Sequence, residues 1–191
     1  MTGAGFVLTG GDSSRMGLDK ALLPFRGTTL VQWIARQALE AAGEVYLVGA
    51  PERYAQLGIR CLPERFPGLG PLSGIEAALR EGAAEWSLIL ACDLPGAGAD
   101  TLQRLFQSAL SSQADAVAAT GASGRLQPLF AVYNARVLPA VQTAIRAGRL
   151  SVQELLRHLK VDRFPVDSEM LLENVNTPQD WARWTATADP R

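Results

Sequence analysis

A short apolar run near the amino terminus, Phe6-Val7-Leu8, breaks at Thr9 into Gly10-Gly11, and the loop that follows carries Arg15 and Lys20. Consecutive apolar residues without alternation read as a buried parallel strand, which needs cover on both faces. Adjacent glycines let backbone N–H groups approach an anion without interference from Cβ. Arg15 offers a planar fork for phosphate oxygens and Lys20 a mobile point charge. Together they suit a nucleoside triphosphate at the carboxyl end of a first strand.

Two familiar phosphate motifs are excluded by spacing. A P-loop needs Lys-Ser/Thr directly after its last glycine, and Leu18 follows Gly17. The dinucleotide fingerprint fails as well: Gly68-Leu69-Gly70 is followed by Gly74, one residue too late.

The rest of the chain alternates strand and helix. Thr29 caps a helix predicted over Leu30–Ala42, ended by Gly43; Val45–Val48 and Arg60–Leu62 read as strands flanking a short helix over Pro51–Leu57. A Gly/Pro-rich stretch, Phe66–Gly74, leads into a helix over Ser73–Glu81, whose N-terminal amides can face a ligand. Ser87–Cys92 is the most apolar strand, expected at the centre, and it ends in Asp93. A carboxylate there must be paired, open to a cleft or bound to a cation; a turn cap is the bland alternative. Helix Ala99–Leu110 and strand Ala116–Ala119 follow, then strand Gln127–Asn134 with Pro128 at its start or on an edge. Helices over Ala135–Ala147 and Val152–Leu159 and an edge strand Val161–Val166 complete the alternation. Thr177, Pro178 and Asp180 form a helix start, which leaves Asn174 and Asn176 to meet a polar ligand.

At 191 residues with a net charge of −1, one domain spanning 1–191 is expected, with a frayed tail over 185–191. That charge gives no electrostatic footprint for nucleic acid or for an anionic membrane. No signal peptide and no apolar run of about 18 residues is present, which predicts a soluble cytoplasmic protein. Cys61, Cys92 and the lone His158 lack the spacing of a zinc site, and no G-x-S-x-G is present, so a triad hydrolase is out of reach.

Five blocks carry a family resemblance: Leu8-Thr9-Gly10-Gly11-Asp12-Ser13-Ser14-Arg15-Met16-Gly17-Leu18-Asp19-Lys20, Gly70-Pro71-Leu72-Ser73-Gly74, Cys92-Asp93-Leu94-Pro95, Gln127-Pro128-Leu129-Phe130-Ala131-Val132-Tyr133 and Asn174-Val175-Asn176-Thr177-Pro178. In this order they resemble the molybdenum cofactor guanylyltransferase family, with Thr9 where Ala is usual. The resemblance implies a three-layer α/β/α sandwich, a Rossmann-like nucleotidyltransferase fold with a mostly parallel central sheet. It implies transfer of GMP from Mg2+-GTP to the terminal phosphate of molybdopterin, giving the guanine dinucleotide cofactor and pyrophosphate. Arg15, Lys20 and Asp93 would be catalytic, and Leu8, Thr9, Gly10, Gly11, Lys20, Glu64 and Asp93 would bind the nucleotide. Asp93 would hold the metal, and Asn174 and Asn176 the pterin side. Partners would be GTP, molybdopterin and proteins that deliver or receive the cofactor. A cytidylyltransferase or another nucleotidyltransferase on the same scaffold, or a nucleotide-binding module without turnover, are the alternatives.

Overall fold

β1 (Gly3–Leu8) is buried along its whole length and pairs in parallel with β4 (Val45–Gly49) on one side and β6 (Trp86–Ala91) on the other. The computed structural model describes residues 3–10, 19–81 and 84–188. β5 (Cys61–Pro63) continues the parallel pairing to one edge. Beyond β6 lies β8 (Leu126–Asn134), antiparallel both to β6 and to β7 (Ala116–Thr120), and β9 (Val161–Pro165) runs parallel to β7. The sheet order is β5-β4-β1-β6-β8-β7-β9, which puts β6 at the centre and Val161–Pro165 at an edge, as the sequence predicts. A separate two-stranded ribbon pairs β2 (Pro24–Phe25) with β3 (Thr28–Thr29).

Alternation along the buried strands builds the three layers. Val7, Leu88 and Leu90 face α1 (Leu30–Ala42) and α4 (Ala99–Leu110); Phe6, Leu8 and Ile89 face α3 (Pro71–Glu81), α5 (Leu138–Arg146) and α6 (Val152–Arg157). Because successive side chains point to opposite faces, strands that are apolar throughout demand this double cover. α1 starts with a full capping box, in which the Thr29 hydroxyl accepts from the Gln32 amide, and Gly43 ends it with φ 83°.

Several element ends lie a residue or two from the sequence reading, α3 starting at Pro71 rather than Ser73, and two departures have a clear physical cause. The helix expected from Ala135 begins as a 3-10 turn, Ala135–Val137, capped by Asn134, with α5 proper starting at Leu138 ahead of Pro139. Proline pre-sets the helical φ at a first turn but cannot donate inside one. The second difference is Pro128, which lies in an interior strand. It is tolerated there because the β7–β8 register jumps: Ala118 faces Ala131 but Ala119 faces Gln127, so residues 128–130 have no β7 partner. The fully buried Tyr133 hydroxyl donates to the Pro128 carbonyl at 2.8 Å, supplying a partner that the ladder does not.

The chain then returns across the carboxyl end of the sheet. A 3-10 turn, Glu169–Leu172, leads through residues 173–177 into α7 (Pro178–Ala188). This return packs on Gly96, where an added Cβ would lie 2.7 Å from the Met170 carbonyl and 2.9 Å from Leu171 Cα. Gly96→Ala is therefore expected to push the return segment off the sheet, lowering stability by about 1–3 kcal/mol. Urea unfolding measures the loss, and faster proteolysis within residues 166–177 locates it.

Candidate active site

The site is built where β1 and β6 end side by side. The Cys92 amide donates to the Leu8 carbonyl at 3.1 Å, carrying the β1–β6 pairing one step past the strand end and setting Asp93 at the rim. The return segment docks here: the Val175 amide donates to the Asp93 carbonyl at 2.9 Å, and the Val175 side chain is completely buried. With Val175 as the anchor, Asn174 and Asn176 are presented to the site. The Asn174 amide donates to the Asp93 carboxylate at 2.6 Å, and the Asn176 side-chain oxygen accepts from Lys20 Nζ at 2.9 Å.

Lys20 is positioned by its neighbour. Asp19 Oδ1 accepts from the Ala21 amide at 3.1 Å, capping the 3-10 turn Lys20–Leu22. Asp19 Oδ2 accepts from the buried Tyr54 hydroxyl at 3.0 Å and pairs with Arg53 at 3.1 Å. Nothing in the sequence marks Tyr54 or Arg53 as part of this support, because a short helix distant in sequence, α2 (Pro51–Tyr54), supplies both.

A cavity of about 550 Å³ opens between these groups, lined by Leu8, Gly10, Glu64, Gly68, Gly70, Pro71, Ala91, Cys92, Asp93, Leu129 and Asn174. The Gly/Pro-rich stretch thus forms its second wall. Its bends at Gly68 (φ 83°) and Gly70 (φ 71°) use left-handed backbone that favours glycine. α3 comes so close that a Cβ at Gly74 would lie 3.0 Å from Leu8 Cδ1.

Of the residues singled out in the sequence, Leu8, Gly10, Glu64, Asp93 and Asn174 line this one cavity; Lys20 and Asn176, bonded to each other, stand outside its lining, although the Lys20 charge acts on Asp93. Gly11 and Arg15 lie outside the described residues. Thr9 turns away from the cavity: its amide and hydroxyl both donate to the Val48 carbonyl, at 2.8 and 2.9 Å. Gly49 leaves the room this needs, since a Cβ there would come within 2.3 Å of Thr9 Oγ1. A threonine is therefore accommodated at this position by the neighbouring strand.

Withdrawal from water raises the Asp93 carboxyl above its ordinary range, while the Asn174 hydrogen bond and the Lys20 charge pull it partway back. Burial also raises Glu64. It pushes the Cys92 thiol up to about 12, with the Asp93 charge adding to the effect, so Cys92 offers no thiolate at neutral pH. Among the described residues no three His, Cys, Asp or Glu side chains gather to cage a metal. A single cavity-lining carboxylate oriented by an amide donor suits instead a hard divalent cation that shares its coordination with phosphate oxygens and water.

The sequence pattern of the MobA-like NTP transferase domain matches residues 5–163. A probable molybdenum cofactor guanylyltransferase of Nostoc sp. is 39% identical over 181 residues, covering 92% of this chain and 87% of the relative. One from Carboxydothermus hydrogenoformans is 33% identical over 184 residues, covering 93% and 92%. The crystal structure of molybdopterin-guanine dinucleotide biosynthesis protein A from Archaeoglobus fulgidus superposes with a TM-score of 0.79 at 25% identity, covering 94% of this chain and 95% of that one.

The raised Asp93 carboxyl has a consequence for stability. The folded chain holds this proton to higher pH than the unfolded chain, so stability falls as pH rises from the ordinary carboxylate range through the folded value. Asp93→Asn removes that cost. The ligand-free variant is expected to unfold at higher urea than the wild type at pH 8, with the gap closing near pH 4. Urea midpoints at the two pH values check it.

Proposed function

The chain belongs to the MobA-like NTP transferase family, and from that premise we propose that it transfers GMP from Mg2+-GTP to the terminal phosphate of molybdopterin. The observation that carries this reading is the meeting of Asp93, Lys20 and two asparagines at one end of β6, where Asp93 and Asn174 line a cavity of about 550 Å³.

In the reaction a phosphate oxygen of the acceptor forms a bond to the α-phosphorus of GTP. The α–β bridging bond breaks, and its electron pair leaves with pyrophosphate. The acceptor oxygen is already ionised at neutral pH, so no strong base is needed; the work is to align two anions and neutralise their charge. Lys20, on a turn held by Asp19, neutralises phosphate charge and exchanges its Asn176 contact for a phosphate oxygen. Gly10 and Gly11 admit the triphosphate close to backbone, and Arg15 adds a second cation to the same loop. Leu8 borders the nucleoside from the cavity floor, Thr9 fixes the strand end behind it, and Glu64 accepts from nucleoside donor groups.

Asp93 is the residue that would hold Mg2+, with the Asn174 amide oxygen in reach, and the bound ion would neutralise charge at the α-phosphate. Asn174 and Asn176 keep Asp93 and Lys20 oriented and face the incoming acceptor. Delivery and acceptor proteins bring the pterin and take up the product. No helix among the described residues is long and apolar enough to cross a membrane, and the reaction proposed belongs to the cytoplasm, where GTP is made.

The test offers each of the four nucleoside triphosphates with Mg2+ and molybdopterin-loaded protein, and identifies the dinucleotide by mass. GTP is expected to give the guanine dinucleotide; preferred use of CTP, or no product from any, would overturn the assignment. Lys20→Ala is expected to keep the fold and lose on the order of 2–4 kcal/mol of transition-state stabilisation, read as a fall in kcat/KM for GTP. An unchanged rate in the folded variant would remove Lys20 from the site.

A further inference from the structure

A second cavity, of about 360 Å³, adjoins the first and shares three of its wall residues, Pro71, Leu129 and Asn174. Its other apolar wall residues are Leu94, Pro128, Leu150 and Val152, contributed by three separate segments. Its polar lining is Arg125 and Gln127 at the start of β8, Ser151 and Gln153 at the start of α6, and the shared Asn174.

The β8 side of the groove is a product of the irregular strand. Where the β7–β8 register jumps, residues 128–130 leave the β7 ladder, and the buried Tyr133 hydroxyl holds the Pro128 carbonyl in the displaced course. The bulge sets Pro128 and Leu129 into the cavity walls, with Gln127 just before them. The turn that precedes it is fixed from two sides: the Arg163 guanidinium donates to the Gly124 carbonyl at 2.5 Å, and the Arg125 amide donates to Ser123 Oγ at 3.2 Å. Gln153 spends its NH2 on the Leu126 carbonyl at 2.8 Å, and its side-chain oxygen makes no hydrogen bond with any other described residue, which leaves it as an acceptor. The Arg125 guanidinium and the Gln127 amide make no hydrogen bond or ion pair with any other described residue.

We propose that this groove, between the β8 bulge and the start of α6, is the subsite for the acceptor's head, with Arg125 and Gln127 as the residues that determine its specificity. The ligand class follows from the lining. Proline and leucine walls suit a flat ring, and a guanidinium, a free amide and an acceptor oxygen among them suit a heterocycle with several hydrogen-bonding groups. The shared wall sets the direction. A phosphate arm on that ring, passing Asn174, arrives beside Asp93 and enters the first cavity where the α-phosphorus would lie. Arg125 also gives the groove a cation without an acidic partner, which favours an acceptor that carries negative charge. The identity of the ring as a pterin rests on the function proposed above; the position and polarity of the subsite do not.

The test compares wild type with the double variant Arg125→Met and Gln127→Leu, both changes outside the buried core. The probe is the fluorescent anion pterin-6-carboxylate, titrated by anisotropy, beside calorimetric titration of GTP and the KM for molybdopterin. The double variant is expected to bind the pterin at least tenfold more weakly and to raise the molybdopterin KM by a similar factor. GTP affinity should stay within threefold. If the wild type transfers GMP but the variant keeps both pterin affinity and molybdopterin KM, the subsite is wrong and the function stands. If the wild type transfers no GMP yet binds the pterin, and the variant does not, the function fails while the subsite stands as a heterocycle site. Absence of pterin binding by the wild type overturns the subsite, as does an equal loss of GTP and pterin affinity.

Discussion

A carboxylate sits at the end of the central strand of the sheet, and much of the molecule is arranged around the cost of keeping it there. Asp93 follows β6, which is buried at every position, and withdrawal from water disfavours its ionised form. Two partly compensating contacts come from distant parts of the chain: the Asn174 amide and the positive charge of Lys20. The fold keeps a residual cost in the free protein that a bound cation with phosphate would relieve. A ligand that relieves such a cost binds in proportion to it, so the same destabilisation that burdens the empty site strengthens the occupied one.

The return segment links the two charges. Val175 is buried and bonded to the Asp93 backbone, and the asparagines on either side of it take one charge each. Neutral amides can hold a carboxylate and an ammonium without neutralising either, whereas an acid or a base at the same positions would. Lys20 in turn stands on a turn capped by Asp19, and Asp19 is fixed by Tyr54 and Arg53. The parallel half of the sheet and the last segment before α7 therefore form one mechanical unit. The charged groups are preorganised while still able to release their internal partners to phosphate.

The layers were readable because the apolar runs Phe6–Leu8 and Ser87–Ala91 leave no polar face, and only helices on both sides of a sheet can cover such strands. Thr29, Gly43, Ser151 and Thr177 announced helix ends through local chemistry that tertiary packing did not override. The reversed, interior course of β8 was not readable: nothing local tells a strand which neighbours it will have, and Pro128 argued for an edge. The register jump that admits Pro128 depends on Tyr133, five residues on, bonding to its carbonyl. Asp93, Lys20, Asn174 and Asn176 were each recognisable by residue type and motif, but their pairing across 81 and 156 positions of chain was not. Tyr54 and Arg53 carried no signal, since their role is to support another residue. The second groove was equally silent, because its walls come from five segments that only the fold brings together.

Manganese binding followed by electron paramagnetic resonance tests most directly the claim that Asp93, held by Asn174, is the cation seat completed by the nucleotide. With Mn2+ as a spectroscopic stand-in, the wild type is expected to bind one ion tightly when GTP is present and only weakly without it. Asn174→Ala should weaken the GTP-dependent site, and Asp93→Asn should abolish it. Tight Mn2+ binding that ignores GTP, or that survives Asp93→Asn unchanged, would contradict the account.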